Sequence, residues 1–307
     1  MSAQPGPVTA VTVASRAGSR RDARERPASW ALLRAFAENR LALAGTVMLL
    51  LLVVFSFFGP HLYHTDQIHA NLATADLRPG SPGHPLGTDN LGLDELGRLM
   101  QGGQASLEVG IAAALFATIF GALWGAVAAV AGGFADALMM RIVDALSSIP
   151  SLFILIFLAH VLTFSTPLLI IVIGYVAWLV PARLVRGEAL TTISREYVRA
   201  VRMMGGGKVR MVVRHVIPNA VGTMAVNATF QVADAILAVA ALGYLGIGVP
   251  PPQADWGTML SNGISFVEVG YWWMIFPAGI AIVLTVLAFN FIGDGLRDAF
   301  SVRLKAR

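Results

Sequence analysis

LALAGTVMLLLLVVFSFF, residues Leu41–Phe58, runs for 18 residues without one charged side chain. A bilayer core of about 30 Å needs roughly 20 apolar residues of helix, so this stretch reads as a membrane span. Five later stretches have the same character: Val109–Ala131, Ala145–Leu162, Phe164–Ala182, Val221–Ile247 and Trp272–Ile292. Only Thr163 separates the third from the fourth, and Pro167 interrupts the pattern there. A tight reversal around Thr163–Pro167 keeps these as two spans. The expectation is an all-α membrane protein with six transmembrane helices.

Composition agrees. Of 307 residues, 56% are hydrophobic and only 13% charged, whereas soluble domains carry about 25% charge. So little charge means that much of the surface faces something other than water. The net charge of +4 would suit nucleic acid, but the position of the basic residues points elsewhere. With no cysteine there is no disulfide framework, thiolate nucleophile or Cys-based zinc site.

Lys and Arg set the orientation, because cytoplasmic loops hold the excess. With both termini inside, 20 of the 22 basic residues lie on the cytoplasmic side. Residues 1–40 form a cytoplasmic tail: Met1–Pro27 has a disordered composition and no signal-peptide pattern. Trp30, Leu33 and Ala37 then fall at helical spacing, as an interfacial elbow helix or an ordinary helix end. The first span is 41–58, and residues 59–106 are an extracytoplasmic loop. Residues 107–297 form a five-helix core that carries a cytoplasmic loop, 183–219, and residues 298–307 are a second cytoplasmic tail. A second external segment, Gly248–Tyr271, contains Pro250-Pro251-Pro252 and no Lys or Arg. Gly121 and Gly125 mark a close helix–helix approach.

The loop Arg183–Asn219 is the most informative stretch. It holds eight basic residues and two acids, Glu188 and Glu196. Tyr197, Val201 and Met204 form one helical stripe, with Arg195, Arg199 and Arg202 on another. Gly205-Gly206-Gly207 interrupts, and Val209, Val212, Val213 and Val216 continue as far as Pro218. Two short amphipathic helices about a glycine hinge offer a docking surface for a soluble partner. The same basic loop could equally bind lipid headgroups.

Further segments give this loop its context. Arg199-Ala200-Val201, three residues, Gly205, twelve residues and Pro218 resemble the loop signature of binding-protein-dependent ABC importer permeases. His84-Pro85-Leu86-Gly87-Thr88-Asp89, Pro181-Ala182-Arg183-Leu184-Val185-Arg186-Gly187 and Arg214-His215-Val216-Ile217-Pro218-Asn219 look like the second, C-type subunit of the dipeptide/oligopeptide permease family. So do Ala241–Gly246, Trp256–Leu260 and Leu284–Asp298. The resemblance covers about Arg40 to Arg297. It implies a type I ABC importer permease bundle in the cell (inner) membrane, without cofactor. The implied partners are a homologous permease subunit, two ABC ATPase subunits and an extracytoplasmic solute-binding protein, with membrane lipid around and no nucleic acid. Dipeptides or short oligopeptides are the implied cargo, and nickel, haem or another small solute fits the same importer type.

By the same resemblance, Glu196, Tyr197, Arg199, Ala200, Val201, Met204, Gly205 and Pro218 form the ATPase-coupling loop. Arg199 stands where the family has Glu and Val201 where it has Ala, which changes the charge pairing expected with the ATPase. Leu93 replaces an Arg common in the external segment.

Inside the membrane, Thr223, Asn227, Gln231 and Asp234 share one face of the fifth span. Polar groups at that depth face an aqueous path or another helix. The stripe is thus a lining of the translocation pathway or a hydrogen-bonded seam with the partner permease. His160 and Asn290 read as structural. His61, His64 and His69 cluster outside, as isolated loop histidines or as metal ligands, with no metal site assigned. Gly206-Gly207-Lys208 lacks the Ser/Thr and first Gly of a phosphate loop, and there is no Gly-x-Ser-x-Gly. No catalytic residue is assigned and the chain is read as a non-enzyme. A secondary transporter would show internal repeats and broken midplane helices, and a membrane hydrolase would need a nucleophile and base.

Overall fold

The computed structural model describes residues 28–162 and 165–305; the tail over residues 1–27 and the reversal at Thr163 lie outside them. Every regular element among the described residues is a helix, apart from two isolated β-bridges. Helix α1, Ala28–Glu38, runs into α2, Arg40–Leu62, through Asn39, whose side chain caps α2 by accepting from Leu41 and Ala42 N–H. Asn39 also donates to Asp298 at 3.2 Å, tying the elbow to the end of the chain. A separate helix thus carries Leu33 and Ala37 ahead of the first span; the Trp30 side chain lies outside the described set.

Helix α3, Glu95–Ala131, is the central element and packs along three later helices and α2. It begins well before the expected Val109, because Asp94 caps it and Glu95–Gln104 form its first turns. Helices α4, Gly133–Ser147, and α5, Ser151–Val161, meet at 79°. Helices α6, Thr166–Ala177, and α7, Leu179–Ile193, meet at 46°. Among the described residues four helices are long and apolar enough to cross a membrane, and up to six spans are counted if each bent pair is one.

The bent pairs correct the sequence reading. The third span is broken at Ser148–Pro150, where proline removes an N–H and bars the preceding residue from the helical region. Pro167, expected to interrupt, sits in the first turn of α6, where a missing N–H costs nothing. The fourth span bends at Trp178 and continues to Ile193, so the first third of the expected loop 183–219 is helix. Trp178 fills that bend at 2% exposure, with Phe120 and Trp124 each 5.0 Å away in edge-on packing.

After α7 come α8, Glu196–Met203, and α9, Lys208–Met211. A π-turn over Val212–Val216 leads into α10, Ile217–Tyr244. Helices α11, Trp256–Ile264, and α12, Phe276–Lys305, complete the chain. Helix α12 lies against α2 and α10.

Gly121 and Gly125 are where α3 meets α7. A Cβ on Gly121 would strike the Trp178 carbonyl oxygen, and one on Gly125 the Ala182 carbonyl oxygen. Only glycine permits backbones this close.

The segment between α2 and α3, expected to be external, is tied together by side-chain hydrogen bonds. Asp94 accepts from Gly97 N–H at 2.8 Å and from the Tyr63 hydroxyl at 2.8 Å, and pairs with His84 at 2.9 Å. Asp89 accepts from Leu91 and Leu93 N–H, and Trp273 donates to the Thr88 carbonyl. The His84–Asp89 motif thus serves architecture, and Leu93 is buried within it. In the second external segment Asp255 caps α11 with Thr258 and accepts from Val249 N–H. Burial holds the Asp255 carboxyl above the usual carboxylate range, against three backbone donors that pull it down. Asp94→Ala removes a helix cap, worth about 0.5–2 kcal/mol, and takes a partner from His84 and from the Tyr63 hydroxyl, which keeps the Gly83 carbonyl. A lowered unfolding temperature in detergent is the expected result, with Asp94→Asn between the two.

Candidate functional site

Helix α8 presents its apolar side chains outward. Tyr197 is exposed, Met203 and Met204 are 86% and 79% exposed, and Val201 is half-buried. Val198 alone turns inward, at 1%. Glu196, Arg199 and Ala200 are exposed beside them. An amphipathic helix with its apolar residues in water lacks a covering surface.

The end of α8 explains Gly205. Gly206 N–H donates to the Val201 carbonyl at 2.9 Å, and Gly205 has φ +82°. This is the six-to-one closure that follows a residue in the left-handed region, where a side chain is disfavoured. Space is not the constraint, since a Cβ at Gly205 would meet nothing within 4 Å.

Beyond the hinge the expected second helix does not stand apart: α9, the π-turn and α10 run on as one helix, Lys208–Tyr244. Pro218, in the first turn of α10, has no N–H for the turn before it, and the backbone upstream widens into the π-turn. The valines split accordingly: Val212 and Val216 are buried, whereas Val209 and Val213 are exposed. Asn219 donates to the Tyr197 hydroxyl at 3.3 Å, and the Tyr197 and His215 rings lie 5.9 Å apart. These contacts join α8 to the foot of α10.

The membrane stripe divides in two. Thr223 donates to Glu188 at 3.0 Å, and Gln231, 5% exposed, donates to the Ala177 carbonyl at 2.8 Å. Both bind this chain's own α6 and α7, whereas the sequence reading offered a lining of the pathway or a seam with a partner subunit. Asn227 is half-buried, with its Oδ1 lacking a hydrogen bond among the described residues. Asp234 is exposed. It borders a cavity of about 600 Å³ together with Gln231, Arg183 and the break at Ile149–Pro150. The structure therefore brings Gln231 and Asp234 together at one cavity and leaves Thr223 out of it.

Sequence reasoning missed the role of α7. Arg183 pairs with Asp144 at 3.1 Å, and Arg186 holds Asp136 through two bonds of 2.6 and 2.7 Å. With Glu188 on Thr223, Arg186 and Glu188 fasten α7 to α4 and α10, and Arg183 adds an exposed pair. The signal was the spacing of Arg183, Arg186 and Glu188 within a segment noted only for its resemblance. His61, His64 and His69 form no metal-binding group among the described residues, and His69 pairs with Asp66 at 2.7 Å. Asn290 donates to its own helix at Val286.

Known proteins resemble this chain in sequence over most of its length. Residues 30–79 match the N-terminal TM domain of oligopeptide transport permease C. The oligopeptide transport system permease protein OppC of Bacillus subtilis (strain 168) is 40% identical over 275 residues, 90% of this chain and 89% of that one. OppC of Escherichia coli (strain K12) is 39% identical over 267 residues, 87% and 88% of the two chains. The dipeptide transport system permease protein DppC of Bacillus subtilis (strain 168) is 36% identical over 272 residues, 89% and 85%. Residues 111–306, from α3 through the hinge to the end of α12, match a single family along their whole length. By that match the chain belongs to the binding-protein-dependent transport system inner membrane components, as a multi-pass membrane permease.

Proposed function

We propose that this chain is one of two membrane subunits of an ATP-driven importer of dipeptides or short oligopeptides. Relatives near 40% identity over nine tenths of the chain carry peptide permease names, which supports the cargo class. The observation that carries the mechanism is the α8–Gly205–α10 segment: an uncovered apolar helix, a left-handed glycine, then one rod rising to the Asp234 cavity. A soluble ATPase subunit covers α8 through Tyr197, Val201 and Met204, with Glu196, Arg199 and Ala200 at its rim. Closure of two such ATPases moves α8, and Gly205 and Pro218 bound the joint through which the movement reaches α10. A homologous permease closes the open side of the cavity, Asp234 lines the path, and an external binding protein delivers the solute.

Purification of the detergent-extracted chain with an ATPase subunit, followed by uptake of a labelled tripeptide into proteoliposomes, tests this reading. Failure of the ATPase to co-purify would remove the coupling role.

The orientation has its own test. Because the chain has no cysteine, single cysteines can report sidedness. An impermeant maleimide on intact cells should label Ser81→Cys and Gln253→Cys but spare Ser194→Cys. Strong labelling at Ser194→Cys would reverse the topology.

A further inference from the structure

The cavity beside Asp234 has a second pole. Arg183 lines the same wall, and it is held only by a single bond of 3.1 Å to Asp144. Both members of that pair are about half exposed, and an exposed ion pair is worth at most about 1 kcal/mol. Arg183 is thus free to change partners at little cost. Its planar guanidinium suits a carboxylate, which it can grip through two parallel hydrogen bonds.

The geometry fixes how far apart the two poles are. Gln231 is bonded to the Ala177 carbonyl, which sets α10 against the α6–α7 bend at that level. Asp234 lies three positions outward from Gln231, and Arg183 six positions inward from Ala177 on a helix running the other way. At a rise of 1.5 Å per residue, and with the 46° bend at Trp178 shortening the Arg183 side, the two Cα atoms are separated along α10 by roughly 11 Å. An extended tripeptide spans about 10 Å, and the flexible arginine side chain takes up the difference. Between the poles the wall is apolar, from Leu155, Ile173 and Val176, and offers side chains no charge to select by. The broken backbone at Ser148–Pro150 also belongs here, since irregular backbone at membrane depth is tolerated where it lines a cavity.

We propose that this cavity holds a short peptide by its two charged ends, the amino group at Asp234 and the carboxylate at Arg183, which leaves Asp144 to receive it. This deepens the import reading and rests on it. Selection is then for the zwitterionic termini and for length, with indifference to side chains.

The test reads the cavity directly and needs no binding protein. A Ser151→Cys chain, purified in the assembled importer, carries one thiol in the cavity wall. Trialanine should slow its reaction with a small water-soluble maleimide, whereas trialanine amide and N-acetyl trialanine should need about tenfold higher concentrations, the factor that 1.4 kcal/mol represents. Adding Arg183→Gln should make trialanine and its amide equivalent while the N-acetyl form stays weak. Adding Asp234→Asn should make trialanine and its N-acetyl form equivalent. Asp144→Asn should strengthen trialanine protection, because Arg183 loses its resting partner. Equal protection by all three peptides, no protection by any, or weakening by Asp144→Asn would each overturn the proposal. Tripeptide uptake by the wild-type importer separates the two claims. Uptake without selective protection sinks the bipolar cavity alone, and no uptake sinks the peptide reading as well.

Discussion

Gly205→Val should abolish solute-coupled transport while leaving the chain in the membrane. At φ +82° a β-branched residue is strained by about 1–3 kcal/mol, enough to undo the closure at the end of an eight-residue helix. Gly205→Asn is the informative control, because asparagine tolerates the left-handed region and there is open space for its side chain. Uptake and ATPase co-purification should fall at least tenfold for valine and less than threefold for asparagine, by the same strain argument. Equal loss in both variants would shift the cause from backbone conformation to the loss of glycine as such. Normal uptake and normal ATPase association in the valine variant would refute the coupling role altogether.

Gly125→Val should fail earlier, at folding. The valine Cβ would overlap the Ala182 carbonyl oxygen and stand 2.9 Å from Arg186 N. The obstacle is backbone, so no rotamer change relieves it, and α3 and α7 must separate. Overpacking of this kind costs typically about 1–3 kcal/mol. Here it also breaks the register in which Arg186 meets Asp136 and Glu188 meets Thr223. Little folded protein should survive detergent extraction, and Gly125→Ala should give an intermediate yield. Gly187→Val on α7, where a Cβ meets nothing within 4 Å, should extract as wild type does.

The two glycines differ in how readable they were. Gly125 was legible from small-residue spacing alone, since helices in a bilayer approach through such residues. Gly205 was legible as a hinge because two amphipathic stripes flank it. The number of spans was also legible from hydropathy. Hydropathy is blind to direction, however, so the 79° and 46° bends did not register. Pro150 and Pro167 look alike in sequence, and only the position of each relative to a helix start decides whether it breaks or begins one.

The polar stripe was the harder case. Thr223, Asn227, Gln231 and Asp234 do fall on one face of α10. Which neighbour each meets depends on where α6 and α7 bend, and that bend is set by Trp178 wedged among Phe120 and Trp124. Arg183 was hidden for a related reason. As one of eight basic residues it counted toward topology, and its position at the cavity follows only once α7 extends past the expected end of the span.

The continuous helix Lys208–Tyr244 limits how the molecule can move. At 37 residues and 1.5 Å each it measures roughly 55 Å. It is fastened at two levels, through Thr223 to Glu188 of α7 and through Gln231 to the Ala177 carbonyl of α6, eight residues or roughly 12 Å apart. Two fastenings on one rod resist tilting, so a displacement of its Lys208 end either carries α6 and α7 along or breaks one of these bonds.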